Sequence, residues 1–440
     1  MERLTADDAS FLHLEDQVSA MHNVTVGIFE GPEPRFGDLG KRVAEQVPLV
    51  PRLRQRAVDV PFNLERPLWI DDPQFSVDYH VRHTGLPVGG DLGDLRNLVG
   101  RLLSQRLDRG KPLWEVWMVS GLPDGQWAVL SKAHHSIVDG VSGSDPLSLI
   151  IDQTRHSRRK KDRWNPAPIP SESQLLSDAA ADLVFDPAEQ LRLLRRSVVE
   201  PVKHLAGVMK PTAGRHEGLV GALGPHRRWC QAAVDFEAVR LTRDRLDVAT
   251  NDVVLGLTTA GFRAMLIEGG AEVPASVRTL VPLAIATGDR FTNEMSALEA
   301  DLPVGEEHLD DAITQIHGQT IGSSGGPKAV AGATLSSLKG LAAPTLCALG
   351  LRSATRTGVH LRGIETVTVN APGPAETVTL LGQPMVSIYP AIPLVSKVRI
   401  SVGVMSYRGS FFFGVSGDLE AGLEVASLAA GIEKAADQLG

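Results

Sequence analysis

The chain reads as a mixed α/β protein of two domains, and three observations lead there. Its 440 residues exceed the roughly 250–300 at which a single hydrophobic core stops growing. Helical and strand patterns alternate both in the first 150 residues and after 215, without a fixed-period repeat. Between these halves "RHSRRKKDRWNPAPIPSES" is basic and then proline-rich, the composition of a linker. The expected division is 1–155 as the first domain, 156–214 as a linker with a helical crossover, and 215–440 as the second domain.

Taken in order, "MERLTADDASFLHLED" predicts a short helix capped by Thr5 with Asp8 three residues on. It is acidic and has no apolar run of the kind a secretory signal needs. The stretch 39–58 starts with helical spacing and is interrupted by Pro48 and Pro51. Leu92, Leu95, Leu98, Leu102, Leu103 and Leu107 mark one face of an amphipathic helix that Gly110 and Pro112 stop. "LWEVWMVSGL" and "QWAVLSKAHH", joined by "PDG" at 123–125, read as a β-hairpin. A helical stretch near 174–209 is broken by Pro187 and Pro201. In the second half "NDVVLGLTTAGFRAMLIEGG" is helical, while "VRTLVPLAIA", "ETVTVNAPG", "KVRISVGVMSY" and "SFFFGVSGD" are strands. "LEVASLAAGIEKAADQL" is a closing helix.

Composition narrows the function classes. A hydrophobic fraction of 43% with 22% charged residues is ordinary for a globular protein. The net charge of −8 argues against nucleic-acid binding as the main role. Two cysteines, Cys230 and Cys347, are too few for a disulfide framework or a thiolate metal site and point to a reduced, intracellular protein. No stretch approaches the roughly 20 apolar residues of a membrane span. The most apolar candidate, "GLAAPTLCALGL" at 340–351, contains Pro344 and is expected to be buried or interfacial.

The chemistry is concentrated in "SKAHHSIVDGVSG", 131–143, at the end of the second hairpin strand. Histidine titrates near neutrality, so His134 or His135 can take a proton from a hydroxyl and return it. Asp139 can orient an imidazole or anchor the loop to an arginine, and Gly140 allows a tight turn. The same residues also fit a plain hairpin end with an Asp-Gly turn. Adjacent strand residues point to opposite faces, so the two histidines are poorly placed to share a metal ion. "GSSGG" around Ser324 matches a nucleophile elbow, but a helical pattern precedes it where a strand is required.

Seven segments in order resolve the ambiguity: "LTADDASFLHLEDQVSAMHNVTVGIFEG", "KPLWEVWMVSGL", "KAHHSIVDGVSG", "TNDVVLGLTTAGFRAML", "VRTLVPLAIAT", "VTVNAPGP" and "SIYPAIPLVSKVRISVGVMSYRGSFFFGVSGD". Together they resemble the bacterial wax ester synthase/diacylglycerol acyltransferase family of the coenzyme A-dependent acyltransferase superfamily. The resemblance implies two chloramphenicol-acetyltransferase-like domains with a tunnel between them. It implies His135 as general base, His134 in a supporting role, and Asp139 turned away and held by an arginine, for which Arg278 is the candidate. It places Asn251, Asp252 and Asn370 with Pro372 and Gly373 at the substrate site, and Pro112, Leu113 and Trp114 in the tunnel wall. Asn251 and Asp252 also suit a helix N-cap, Asn370 suits a turn, and Trp114 suits a core. The expected reaction moves a long-chain acyl group from acyl-CoA, as co-substrate, to diacylglycerol or a long-chain alcohol, without a metal, cofactor or acyl-enzyme. Rival expectations are another hydroxyl or amine acceptor, or a silent lipid-binding homologue. The expected location is cytoplasmic, with peripheral contact to a membrane or lipid droplet. Thr292–Asn293 and "VSKVRIS" depart from the family pattern and touch substrate preference.

Overall fold

A computed structural model describes residues 2–137, 146–152, 164–185, 216, 218–287, 290–321, 363–374 and 376–439; side chains at 6–7, 179–185, 283–287, 290–297 and 321 are outside this description. In chain order the strands are β1 (Glu2–Arg3), β2 (His22–Phe29), β3 (Gln55–Val58), β4 (Leu68–Asp71), β5 (Val81–Gly85), β6 (Trp114–Ser120), β7 (Trp127–His134), β8 (Arg227–Asp235), β9 (Val277–Thr287), β10 (Arg290–Leu302), β11 (Thr366–Pro372), β12 (Thr379–Leu380), β13 (Gln383–Ala391), β14 (Ile400–Tyr407) and β15 (Ser410–Asp418). The helices are α1 (Ala6–Leu14), α2 (Phe36–Gln46), α3 (Val77–His80), α4 (Leu92–Ser104), α5 (Pro146–Ile150), α6 (Glu172–Phe185), α7 (Phe236–Leu246), α8 (Thr250–Glu268), α9 (Leu309–Ile321) and α10 (Val425–Ala436).

Two six-stranded mixed sheets carry the fold, in the orders β12-β13-β2-β7-β6-β5 and β10-β9-β11-β14-β15-β8, with a small β1-β4-β3 sheet beside the first. The expected hairpin is present: β6 and β7 pair antiparallel with Trp114 opposite Ala133. Thr5 caps α1 as its sequence predicts, its hydroxyl oxygen accepting from the Asp8 amide at 3.1 Å. Asp91 caps α4 and completes a capping box with Asp94. The helix ends at Ser104, a turn and a half before Gly110.

Division by residue number does not follow the sheets everywhere. Residues 379–391 lie beyond 215, yet β12 and β13 extend the first sheet, with Tyr389 opposite Val26 and Ala391 opposite Val24. The sequence reading assigned no strand there. Two glycines make room for this crossover, for Gly403 and Gly414 face each other across β14 and β15. A Cβ at Gly414 would sit 1.6 Å from the Pro390 carbonyl oxygen, and one at Gly403 would sit 2.9 Å from the Pro390 ring. Trp229 of β8 ties the same point by donating its indole N–H to the Pro390 carbonyl at 3.3 Å.

Helix α4 lies between the sheets. Its leucines pack with Val24, Val26, Ile28, Ala128 and Leu130 on one face of the first sheet, and with Trp229 of the second. Gly100 lets it approach β8, since a Cβ there would meet the Arg227 carbonyl at 2.6 Å. The opposite face of the first sheet packs Trp114, Val116, Met118, Trp127, Val129 and Ala133 against α1 and α2. Period-2 alternation then places His22, Lys132 and His134 on the α4 face, and Lys132 reaches the Gln105 carbonyl just past that helix.

Candidate active site

The expected base sits where β7 ends. His134 is the last strand residue and fully buried, and His135 opens the following turn half-buried. Two backbone bonds fix this corner. The His134 amide donates to the Leu113 carbonyl at 3.0 Å, and the His135 amide donates to the Met21 carbonyl at 2.9 Å. The His135 ring stacks on Phe11 of α1, centroids 5.0 Å apart and planes 21° from parallel. Burial lowers the His135 pKa from 6.5 to about 4, leaving the imidazole neutral at pH 7 with a free lone pair on one nitrogen. His134 is held well below its ordinary value by burial first, then by the charges of His135 and Arg109.

Pro112, Leu113 and Trp114 support this corner from the neighbouring strand. Trp114 is fully buried; its indole donates to the Leu53 carbonyl at 2.8 Å, and its ring stacks on His80 at 4.4 Å. The triplet therefore builds core and, through the Leu113 carbonyl, the position of His134. Trp114 as core is what its residue type suggested, and the described residues show it facing Phe75 and His80.

Asn251 and Asn370 come together from distant parts of the chain. The Asn370 amide on β11 donates to the Asn251 carbonyl oxygen at 3.3 Å. Pro372 and Gly373 follow along β14, where a Cβ on Gly373 would meet the Ser406 carbonyl at 2.1 Å. Asp252 serves its helix: its carboxylate accepts from the Ala249 amide at 3.0 Å and from Thr320 at 3.0 Å, and it meets His317 Nδ1 at 2.6 Å. His317 of α9 was not singled out in the sequence. A lone histidine on a helix face carries no pattern, and its partner lies 65 residues away.

Arg278 pairs with Asp301 across β9 and β10, Nε to Oδ1 at 2.8 Å and a terminal nitrogen to Oδ2 at 3.2 Å. Nε and one terminal nitrogen of its guanidinium thus engage Asp301, while Asp139, the expected partner, is not among the described residues. Asp139, Gly140, Ser324 and the 340–351 segment lie outside the described residues. Among the described residues no hydrogen bond or ring contact joins His135 to the asparagine pair, of which Asn370 lies on the second sheet and Asn251 on α8. A cavity of about 750 Å³ opens between α4 and β8, lined by Arg96, Arg101, Arg228 and Trp229 among others. Its lining includes neither His135 nor the asparagines.

Two sheet-rich lobes joined by an exchanged strand define a bilobal mixed α/β fold, with an uncharged histidine at the end of one central strand. Solved structures agree. The wax ester synthase/diacylglycerol acyltransferase from Marinobacter aquaeolei VT8 superposes with a TM-score of 0.72 at 21% identity, covering 100% of this chain and 98% of that one. The first condensation domain of the CDA synthetase superposes with a TM-score of 0.53 at 14% identity, covering 100% and 98%. Residues 4–254 match the wax ester synthase/diacylglycerol acyltransferase catalytic domain and residues 291–440 the WS/DGAT C-terminal domain. The probable diacylglycerol O-acyltransferase tgs1 of Mycobacterium tuberculosis is 31% identical over 100% of this chain and 96% of its own length. The probable diacylglycerol O-acyltransferase tgs2 of the same organism is 27% identical over 95% of this chain and 94% of its own length. The chain belongs to the wax ester synthase/diacylglycerol acyltransferase family and is an acyltransferase. Among the described residues no helix is long and apolar enough to cross a membrane.

Proposed function

We propose that this enzyme transfers a long-chain acyl group from acyl-CoA to the hydroxyl of diacylglycerol or a long-chain alcohol, with His135 as general base. The observation that carries the reading is the state of His135: neutral, partly exposed, its backbone pinned by Met21 and its ring backed by Phe11. The neutral ring nitrogen removes the hydroxyl proton as oxygen bonds to the thioester carbonyl carbon. The carbon–sulfur bond then breaks, and His135 returns its proton to the departing thiolate as free CoA. General-base help of this kind is worth roughly 10²–10⁴-fold. The carbonyl oxygen gains negative charge during attack and needs a hydrogen-bond donor. Asn370 supports that role because Asn251 engages its amide nitrogen, whose second N–H has no partner among the described residues.

Acyl-CoA acts as a co-substrate and no resident cofactor enters the scheme. Asp252 holds the helix that presents Asn251. Both substrates carry long apolar chains, so the enzyme works at a membrane or lipid-droplet surface. CoA release from palmitoyl-CoA with dioleoylglycerol or hexadecanol tests the reading. The His135→Ala variant should lose roughly 10²-fold or more in kcat while keeping its far-ultraviolet circular dichroism. Wild-type transfer by that variant refutes the assignment.

A further inference from the structure

The His135 scheme leaves buried polar side chains on the α4 face of the first sheet without a task. His22 and His134 stand directly opposite each other on β2 and β7, with Cβ atoms about 4.5–5.5 Å apart as cross-strand partners are. The Ser136 amide donates to His134 Nδ1 at 3.1 Å, so that nitrogen is the acceptor and the hydrogen resides on Nε2. Ser136 Oγ lies 2.7 Å from the same Nδ1. His134 Nε2 has no hydrogen-bond partner of ordinary geometry among the described residues, nor has either ring nitrogen of His22. Three buried ring nitrogens in one place call for mutual satisfaction, because buried polar groups are as a rule hydrogen-bonded.

The polarity of such a chain follows from its ends. Leu102 lies in the last turn of α4, where carbonyls lack a donor from their own helix, and its carbonyl is the backbone acceptor beside the His22 ring. Burial first, and then the nearby Lys132, His134 and His135, hold His22 far below its ordinary pKa and therefore neutral. A neutral imidazole has one donor and one acceptor. If the donor turns to Leu102, the acceptor is left to take the His134 Nε2–H.

We propose that His22 is a positioning residue for acyl transfer, forming a buried chain from the Leu102 carbonyl through His22 and His134 to Ser136 that sets the aim of His135. The link to His135 is short: Met21, next to His22, accepts the His135 amide, and His134 is its other neighbour. This inference rests on the reading of His135 as the base.

The test uses the full-length enzyme with His22→Gln, which keeps one acceptor and one donor, His22→Leu, which keeps neither, and His135→Ala. The readouts are kcat and KM for palmitoyl-CoA, together with ring ¹⁵N chemical shifts of histidine-labelled protein at pH 7. His22→Leu should lower kcat roughly 10- to 100-fold, as a misaimed reacting group does, with KM within about twofold, and His22→Gln should recover most of the loss. In the wild type, His134 should show the Nε2–H tautomer, and His22→Leu should shift its resonances. A wild-type Nδ1–H or charged His134 overturns the proposal, whether or not the variants fold. So does a His22→Leu enzyme with kcat within twofold of wild type, or a His22→Gln enzyme as impaired as His22→Leu. Full activity in His135→Ala sinks the base assignment instead, and the His134 tautomer still decides whether the chain exists.

Discussion

Lys132 offers a prediction whose size can be worked from its surroundings. The side chain is 1% exposed, on the α4 face between Val24 and Glu115 of the flanking strands. Its ammonium donates to the Gln105 carbonyl, while burial lowers its pKa from 10.5 to about 8, against the pull of Glu115. A folded-state pKa below the unfolded one means that the unfolded chain binds more protons between those two values. Stability therefore rises as pH rises from about 8 toward 10.5. The displacement corresponds to about 3 kcal/mol of charge burial at pH 7, of which about 2.5 kcal/mol should be regained by pH 10. Lys132→Met removes the titration and keeps an unbranched apolar stem, so other titrating groups cancel in the difference between the two proteins. Urea unfolding at half-unit steps from pH 7 to 10 should show wild type gaining about 2.5 kcal/mol relative to Lys132→Met. The absolute sign at pH 7 is not the test, since the variant also strips the Gln105 carbonyl of its donor. A difference that stays flat within about 0.5 kcal/mol across that range refutes the buried-charge argument.

Further expectations follow from single contacts. Gly414→Ala drives a Cβ into the Pro390 carbonyl, so it should cost about 3 kcal/mol, read as a lower urea midpoint; an unchanged midpoint means the crossing is not tight. His317→Leu removes one of three partners from the Asp252 carboxylate, which is 1% exposed, and should cost about 1–3 kcal/mol in thermal unfolding. Because His135 is displaced to about 4, kcat/KM should hold steady as pH falls and drop only near pH 4, where the base takes up a proton. An acid limb centred near 6.5 would show that His135 is not desolvated in the free enzyme.

Local pattern made much of this fold readable. The leucine spacing of α4, the Thr5 cap and the β6–β7 hairpin are encoded within a few residues of themselves, where sterics and periodicity act. β13 was not read as a strand because it contains Pro384 and Pro390, residues that weaken a strand pattern. It holds its place at the flank of β2 because β12, two residues long, covers its other side. The motif residues divide in the same way. His134 and His135 announce themselves as a pair, while His22 looks like any polar residue opening an apolar strand. Asp252 reads as an N-cap, yet Ala249 holds that position and Asp252 sits at N3, its carboxylate accepting the Ala249 amide, while its bond to His317 spans 65 residues. Arg278 engages Asp301, a partner that no local pattern announces and that the β9–β10 register places opposite it.

By itself the sequence determined the mixed α/β class, the strand that delivers His134 and His135, and, through seven ordered motifs, the family. These depend on short-range periodicity and on residue types that chemistry requires. Only the tertiary structure decided that residues 379–391 complete the first sheet, that Asn251 meets Asn370, and that His22 faces His134 across two strands. Those outcomes depend on which strands pair and in what register. Burial then follows from the pairing, and it is burial that makes His135 neutral and Lys132 costly.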